Sequence, residues 1–354
     1  MCSRSEAVAV APEFVLKFTD KRERILMGQT TGFDGPAGLG PATAAVCDAV
    51  ISAWPEHAKF LRASFANRSR EVMDTTEIIA GLLVRLTEST SRDIRLFAED
   101  YRYLCEQIVY PEELYFARVG DYRLKTFEEA NREVYANGDL MPRYMNGLFV
   151  SDALWFNHAS AMNDFAKTYL PATLAGGRHL EIGPGHGMLL HLALRFGAFG
   201  SCTAWDVSET SVAHVRGILA MLGQSDRVDL RLTDLYSDGA LAANRGRFDT
   251  VVLSEVLEHL ERPLLALQII RELLTPDGTV WINVPANGPA PDHLFLLRSV
   301  AEAEEIVRSA GLTIARTAAF PLAGATLERA IRKQLPISCI VVARRAASIG
   351  AAKL

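Results

Sequence analysis

The stretch Glu181-Ile182-Gly183-Pro184-Gly185-His186-Gly187 decides the reading of this chain. A short apolar run, residues 179–182, leads into it, and the helical run MLLHLALRF at 188–196 follows. A strand that ends in a glycine-rich turn and opens a helix is the start of a ligand-binding βαβ unit. Gly183, Gly185 and Gly187 let the backbone turn tightly and approach a ligand with no Cβ in the way. The spacing G-x-G-x-G is neither the G-x-G-x-x-G of dinucleotide-binding folds nor a lysine-containing phosphate loop. A pyrophosphate needs an anion-receptive helix N-terminus. Glu181 at the mouth of this loop suits instead a ligand carrying an ammonium or sulfonium charge.

Downstream, strand and helix alternate. SCTAWD (201–206) reads as strand, SETSVAHVRGILAML (208–222) as helix, and VDLRLTD (228–234) as strand. FDTVVLS (248–254) is a strand, LLALQIIRELL (264–274) a helix, PDG (276–278) a turn and TVWINVP (279–285) a strand. EAEEIVRSAG (302–311) is helical, with LTIARTAAF (312–320) and ISCIVVARR (337–345) as late strands. This alternation of apolar, β-branched strands with helices predicts a parallel sheet covered on both faces. The second strand ends in Asp206, placed to accept both hydroxyls of a ribose. The third ends in Asp234, placed for the exocyclic amine of an adenine, and the fourth in Ser254-Glu255. Acids at the carboxyl ends of consecutive strands beside a glycine loop mark the place where open α/β sheets bind ligands.

The ordered set HLEIGPGHG, AWDVS, TDL, FDTVVLSEVLEHLERP, LLTPDGTVWINVP and ISCIVVARR resembles the class I S-adenosylmethionine-dependent methyltransferases, nearest to the small-molecule branch that includes the quinone methyltransferases. The resemblance covers about residues 166–345. It implies an α/β, Rossmann-like seven-stranded sheet with one antiparallel strand. It also implies S-adenosyl-L-methionine as cofactor, held by Glu181, Gly183, Gly185, Asp206 and Asp234. Val207, Leu235 and Ser254, beside these acids or at a strand end, are expected to join them.

The first half reads differently. From Pro41 to about Leu170 the pattern is helical. Ala45, Val46, Val50, Ile51 and Trp54 form one stripe; Ile78, Ile79, Leu82, Leu83 and Leu86 form another, with Thr75 or Thr76 available as its N-cap. Helices are expected to resume near Met141 and continue through Trp155 to Tyr169. FDGPAGLGPA (33–42) reads as loop. The expected division is a mainly helical cap over 1–165 and a cofactor-binding catalytic domain over 166–354. Tyr144 and Trp155 offer aromatic faces to a sulfonium. Asn146, counted among the cofactor-binding residues with Tyr144, and Arg143 suit a methionyl carboxylate.

Methyl transfer from a sulfonium is an in-line displacement, so proximity and exclusion of water matter more than a conspicuous catalytic group. The catalytic candidates are Tyr144, His259 in SEVLEHL and His293 in NGPAPDHLFLL. His186 is expected to pack over the cofactor. With Glu255 or Asp292, His259 and His293 could bind iron or zinc, as the resemblance to iron-binding keto-acid methyltransferases allows, but the spacing matches no metal-ligand motif and no metal is expected. Lys and Arg total 37 against 42 Asp and Glu, a formal charge of −5, which gives no basic footprint for a nucleic-acid partner. Ser254-Glu255 stands where DNA- and glutamine-modifying relatives carry Asn-Pro-Pro-aromatic. Five cysteines without a Cys-x-x-Cys pair argue against a disulfide framework or thiolate zinc site. No apolar run reaches the ~20 residues that cross a bilayer. The expectation is a cytoplasmic methyltransferase acting on a small molecule in bacterial secondary metabolism, with no nucleic-acid or membrane partner and a homodimer left open. A second reading keeps the fold but cyclises the cofactor to azetidine-2-carboxylate with release of methylthioadenosine. A third is a non-catalytic binding subunit.

Overall fold

The computed structural model describes residues 38–90 and 92–345. The loop expected at 33–42 therefore falls half outside the described residues, and its last two positions already belong to a helix. Eight helices precede the sheet: α1 (Pro41–Ala53), α2 (Ala58–Ala66), α3 (Arg70–Ser89), α4 (Ile94–Tyr103), α5 (Tyr110–Val119), α6 (Phe127–Ala130), α7 (Met141–Leu154) and α8 (Phe156–Asn163). The buried stripe of α1 is Val46, Cys47, Val50 and, just past its end, Trp54, whereas Ala45 faces out. The stripe of α3 is centred on Ile79, Leu82 and Leu83, as expected. Its cap is not Thr75 or Thr76. Ser69 Oγ accepts from Val72 N–H at 3.3 Å, nearly two turns earlier. The two threonines are buried inside the helix, and Thr76 Oγ1 returns a bond to Val72 O at 2.7 Å.

The helices expected from Met141 to Tyr169 are divided at Trp155. That residue is extended, with φ −84° and ψ 130°, so α8 starts afresh. From α8 the chain continues as a π-helical segment, Asp164–Tyr169.

The sheet then builds as β1 (Arg178–Ile182), α9 (Met188–Phe196), β2 (Ser201–Asp206), α10 (Glu209–Met221), β3 (Val228–Leu232), α11 (Asp238–Asn244), β4 (Phe248–Ser254), α12 (Pro263–Leu273), β5 (Leu274–Ala286), α13 (Val300–Ser309), β6 (Leu312–Pro321), α14 (Leu327–Lys333) and β7 (Ile337–Arg345). The strand order is β3-β2-β1-β4-β5-β7-β6. Only β7 runs antiparallel to its neighbours, as the resemblance implied. The order reverses between β1 and β4, which makes the carboxyl edge there a topological switch point. In register, Ile182 lies opposite both Trp205 and Leu253, so the loops after β1, β2 and β4 leave the sheet at one level. The PDG turn is an irregularity within β5: pairing steps from Phe248↔Leu274 to Thr250↔Thr279.

Alternate residues bury opposite faces. Val251, Leu253, Val280 and Ile282 pack in one core, against Leu267 and Ile270 of α12. Val252, Trp281, Ile340 and Val342 pack in the other, with Ile79, Tyr101, Leu104, Phe149 and Phe165. The helical first half thus covers this face over β4, β5 and β7, while α9 and α10 cover it over β2. Asp164 ties the helical half to the sheet. It accepts from Trp281 Nε1 at 3.0 Å and from both Arg316 Nη atoms at 2.7 and 2.9 Å. Replacing Asp164 with Ala strands a fully buried indole N–H and a paired guanidinium. The expected cost is about 2–3 kcal/mol, read as a lower denaturant midpoint. An unchanged midpoint would show that the helical layer holds without this tie.

Candidate active site

The loop after β1 is shaped by close packing. Gly183 has φ +65°, and a Cβ there would lie 2.6 Å from Val256 Cγ2 on the loop after β4. Gly185 has φ +54° but faces open space. Gly187, at φ +77°, is the N-cap of α9. Glu181 is buried, and its Oε2 has no hydrogen-bond partner. A buried carboxylate oxygen without a donor calls for a cationic or N–H-bearing ligand.

Asp206 closes β2 and organises the start of α10. Its Oδ1 accepts from Ser208 N–H at 2.8 Å and its Oδ2 from Ser211 Oγ at 2.6 Å. Burial raises its pKa above the usual carboxylate value despite these bonds. Each oxygen keeps a second lone pair for a ligand. Val207 beside it is 56% exposed, an apolar surface at the open edge. Asp234 is exposed and accepts from Tyr236 N–H at 2.8 Å, while Leu235 is buried behind it. Ser254 Oγ accepts from Asn283 Nδ2 at 3.1 Å.

A second polar group lies over the ends of β4 and β5. Glu255 sits at φ +50°, a left-handed conformation uncommon for a non-glycine residue. A bond from its N–H to Asn283 O at 2.8 Å holds the turn. Tyr144 Oη donates to Asp292 Oδ1 at 2.9 Å. His259 Nδ1 lies 3.0 Å from Asp292 O and 3.1 Å from Tyr135 Oη. His293 Nδ1 donates to Gly288 O at 2.6 Å, and the His259 and His293 rings meet edge to face at 4.8 Å. Burial, helped by His259, lowers the His293 pKa to about 3, so that ring is neutral. Glu258 is fully buried; burial and the neighbouring Glu255 hold its carboxyl well above the usual range. Among the described residues, Glu258, His259 and His293 bring three potential ligand atoms within 4.8 Å of one another.

Asp152 joins the two regions. Its Oδ1 lies 3.2 Å from His158 Nδ1 and its Oδ2 3.0 Å from His186 Nε2. Burial opposes its charge, yet the two imidazoles hold its pKa down to about 2. Burial likewise opposes charge on His158, but the bond to Asp152 raises that pKa above the ordinary value. His186 stacks on Phe149 with centroids 5.1 Å apart and planes 7° from parallel.

A cavity of about 340 Å³ opens beside this group. Phe60, Leu104, Leu148, Trp155 and Pro289 give it apolar walls, and Tyr144, His158, Glu255 and His293 stand in its lining. The volume and the few polar groups are those of a small-molecule site.

The structure brings Tyr144, His259 and His293 together, and Glu181, Gly183, Gly185, Asp206 and Ser254 line up along one edge of the sheet. Asn146 is placed elsewhere: its amide donates to Asp100 Oδ2 at 2.9 Å, beside Arg143, which takes Oδ1 at 2.8 Å. Neither is held ready for a methionyl carboxylate. Trp155 Nε1 is likewise taken, by Tyr101 Oη at 2.8 Å, while its ring faces the cavity. Asp152, which joins the two regions, has no sequence signature of its own.

Residues 155–310 match the family described as a methyltransferase domain. The ubiquinone biosynthesis O-methyltransferase of Xanthomonas campestris pv. campestris is 33% identical over 150 residues, 42% of this chain and 59% of that protein. The chain thus spans less than two thirds of the curated relatives it matches. The apo structure of the S-adenosylmethionine-dependent methyltransferase SibL aligns over 71% of this chain and 73% of its own, at 16% identity and a TM-score of 0.49. The Burkholderia thailandensis 1,6-didemethyltoxoflavin-N1-methyltransferase, solved with its substrate and S-adenosylhomocysteine, aligns over 64% of this chain and 93% of its own, at 20% identity and a TM-score of 0.45. Residues 155–310 of this chain thus resemble a methyltransferase domain.

The two glycines separate backbone strain from steric clash. Gly185→Ala meets only the positive-φ penalty, about 1 kcal/mol. Gly183→Ala meets the same penalty and the Val256 contact, so it should destabilise by at least about 1 kcal/mol more. Chemical denaturation of both variants checks this; equal losses would mean that Val256 yields freely.

Proposed function

We propose that the chain transfers the methyl group of S-adenosylmethionine to a small molecule held in the apolar cavity. The observation that carries this reading is the pairing of two sites at one sheet edge: a glycine loop with an orphaned buried carboxylate, and a cavity lined by neutral and acidic proton acceptors. Glu181, Gly183 and Gly185 would hold the amino-acid arm of the cofactor, Asp206 the ribose hydroxyls, and Asp234 with Val207 and Leu235 the adenine. When bound, the cofactor supplies an electrophilic methyl group on a sulfonium. The open space at Gly185 and the unsatisfied Glu181 Oε2 fit that cationic ligand.

The chain's own residues do the rest. The cavity walls exclude water and hold the acceptor at attack distance. His158 is the proposed proton acceptor. Asp152 binds its Nδ1, which leaves Nε2 as the working nitrogen, an arrangement that orients a general base. Tyr144, His259 and His293 form the polar end of the site and orient the acceptor. The reading extends to a helical cap over 1–165 on a catalytic domain over 166–354. It also places the enzyme in the cytoplasm and in secondary metabolism. The broad helical cover over a cavity of small-molecule size supports the last point.

Asp206→Ala should weaken cofactor binding at least ~30-fold, about 2 kcal/mol, by calorimetry. Lost bonds to Ser208 and Ser211 should cost about 1 kcal/mol of stability besides. Wild-type affinity in the folded variant would remove Asp206 from the cofactor site. Incubation with S-adenosylmethionine alone tests the reaction. Methylthioadenosine would indicate cyclisation of the cofactor, whereas S-adenosylhomocysteine formed only with an added acceptor supports methyl transfer.

The base has a pH signature. The raised His158 pKa means that the proton is held to higher pH, so the basic form appears only above the ordinary histidine value. The log kcat/KM profile should rise through a limb lying above that value. In Asp152→Asn the carboxylate charge is gone and burial is opposed only by Glu255, so the limb should move to lower pH. An unmoved limb would exclude His158 as the base.

A further inference from the structure

We infer that Glu258, His259 and His293 form a binding site for one divalent first-row transition-metal ion. The evidence is a convergence of acceptors with no donor among them. His293 Nδ1 lies 2.6 Å from Gly288 O, and His259 Nδ1 lies 3.0 Å from Asp292 O. A carbonyl can only accept, so each Nδ1 carries the ring proton, and in the neutral imidazoles each Nε2 presents a lone pair. Both Nε2 atoms stand 3.8 Å from Glu258 Oε1. Glu258 is fully buried, and neither of its oxygens has a hydrogen-bond partner. Its recorded ion-pair contacts among the described residues are to these two histidines. Two imidazole nitrogens thus face a buried, unpartnered carboxyl oxygen beyond hydrogen-bond distance, and one cation between them would satisfy all three.

Binding needs a modest contraction. Metal–nitrogen and metal–oxygen bonds of about 2.0–2.2 Å set ligand atoms roughly 3.3–3.6 Å apart in a tetrahedral site. The atoms here lie within 4.8 Å of one another, so side-chain rotations that close the widest span by about 1.3 Å complete the site. Both histidines have the carbonyl partner on the far nitrogen that characteristically orients metal-ligating imidazoles. Two imidazoles and one carboxylate favour zinc, iron or cobalt over magnesium or calcium, which prefer oxygen. His293 also lines the apolar cavity, so the ion would stand at its wall. The site is distinct from the glycine loop, and its occupation does not depend on the cofactor.

The test uses the full chain, stripped with a chelator and dialysed, without S-adenosylmethionine. Calorimetric titration with zinc should show one equivalent bound at micromolar affinity or tighter, and magnesium should show none. Cobalt(II) should develop visible absorbance at the same stoichiometry. Glu258→Gln and His293→Asn should each weaken zinc binding at least ~10-fold, with melting curves confirming the fold. The wild-type titration stands even if a variant fails to fold. No stoichiometric zinc or cobalt binding by the wild type would overturn the site and leave a proton shared between Glu255 and Glu258 as the explanation of the buried carboxylate. Binding that is unchanged in both folded variants would overturn it equally.

Discussion

One carboxylate holds the two halves of this molecule against each other. Asp164 lies where the helical first half meets the sheet, and it is nearly fully buried. A buried carboxylate is tolerable only when its oxygens are paired. Here an indole N–H from β5 and a bidentate guanidinium from β6 do that. The pairing fixes the start of the π-helical segment on the sheet, and Phe165 one residue on packs against the same Trp281. Working back from this point, α8 and the break at Trp155 set the position of His158, Asp152 and α7. The polar groups of the site are therefore placed by a contact that is not itself in the site.

The site spends stability to keep acceptors out of water. Glu255 is held in a left-handed turn, and Glu181, Glu255 and Glu258 each bury at least one unpartnered carboxylate oxygen. In a protein that is only marginally stable, such groups persist where the surrounding packing over-determines them. Trp281, Phe149, Tyr101 and Leu104 provide that packing, all of them fully or almost fully buried. The sign of the charge is consistent across the region: acids at the ends of β1, β2, β3 and β4 face a ligand site that suits a cation.

The sheet and the glycine loop were legible because their signals are local. Apolar runs, turn glycines and strand-terminal acids lie within a few residues of one another, and a parallel sheet places them at one edge. The second polar group was only half legible. His259 and His293 stood out as residue types near strand ends, and Glu258 as a neighbour of His259 on the same short turn, but nothing local joins that turn to His293. Only the turn at Glu255 and the loop carrying Asp292 bring Glu258 against both histidines. The Ser69 cap was missed because Thr75 and Thr76 satisfy the same propensity rule, and burial alone distinguishes them. Asn146 misled for the same reason. Its type suits a carboxylate ligand, but Asp100 from α4 reaches it first, a tertiary contact with no trace in local sequence. α11 and α14, with seven residues each, were too short to show a periodicity.

Asp152 gives the two parts of the site a common electrostatic element. One of its oxygens faces His186 of the glycine loop, and the other faces His158 at the cavity. Phe149, stacked on His186, lies on the same helix as Asp152 and Tyr144, so α7 touches both the loop and the cavity wall. A positive ligand settling at the loop therefore acts on the same carboxylate that favours the proton on His158. Any share of that negative field drawn toward the loop is withdrawn from the imidazolium, which makes His158 a readier proton acceptor. The buried setting strengthens this coupling, because little water intervenes to screen it. On the proposed function, occupancy of one site and proton affinity in the other would be linked through a single side chain, without requiring any element of the fold to move.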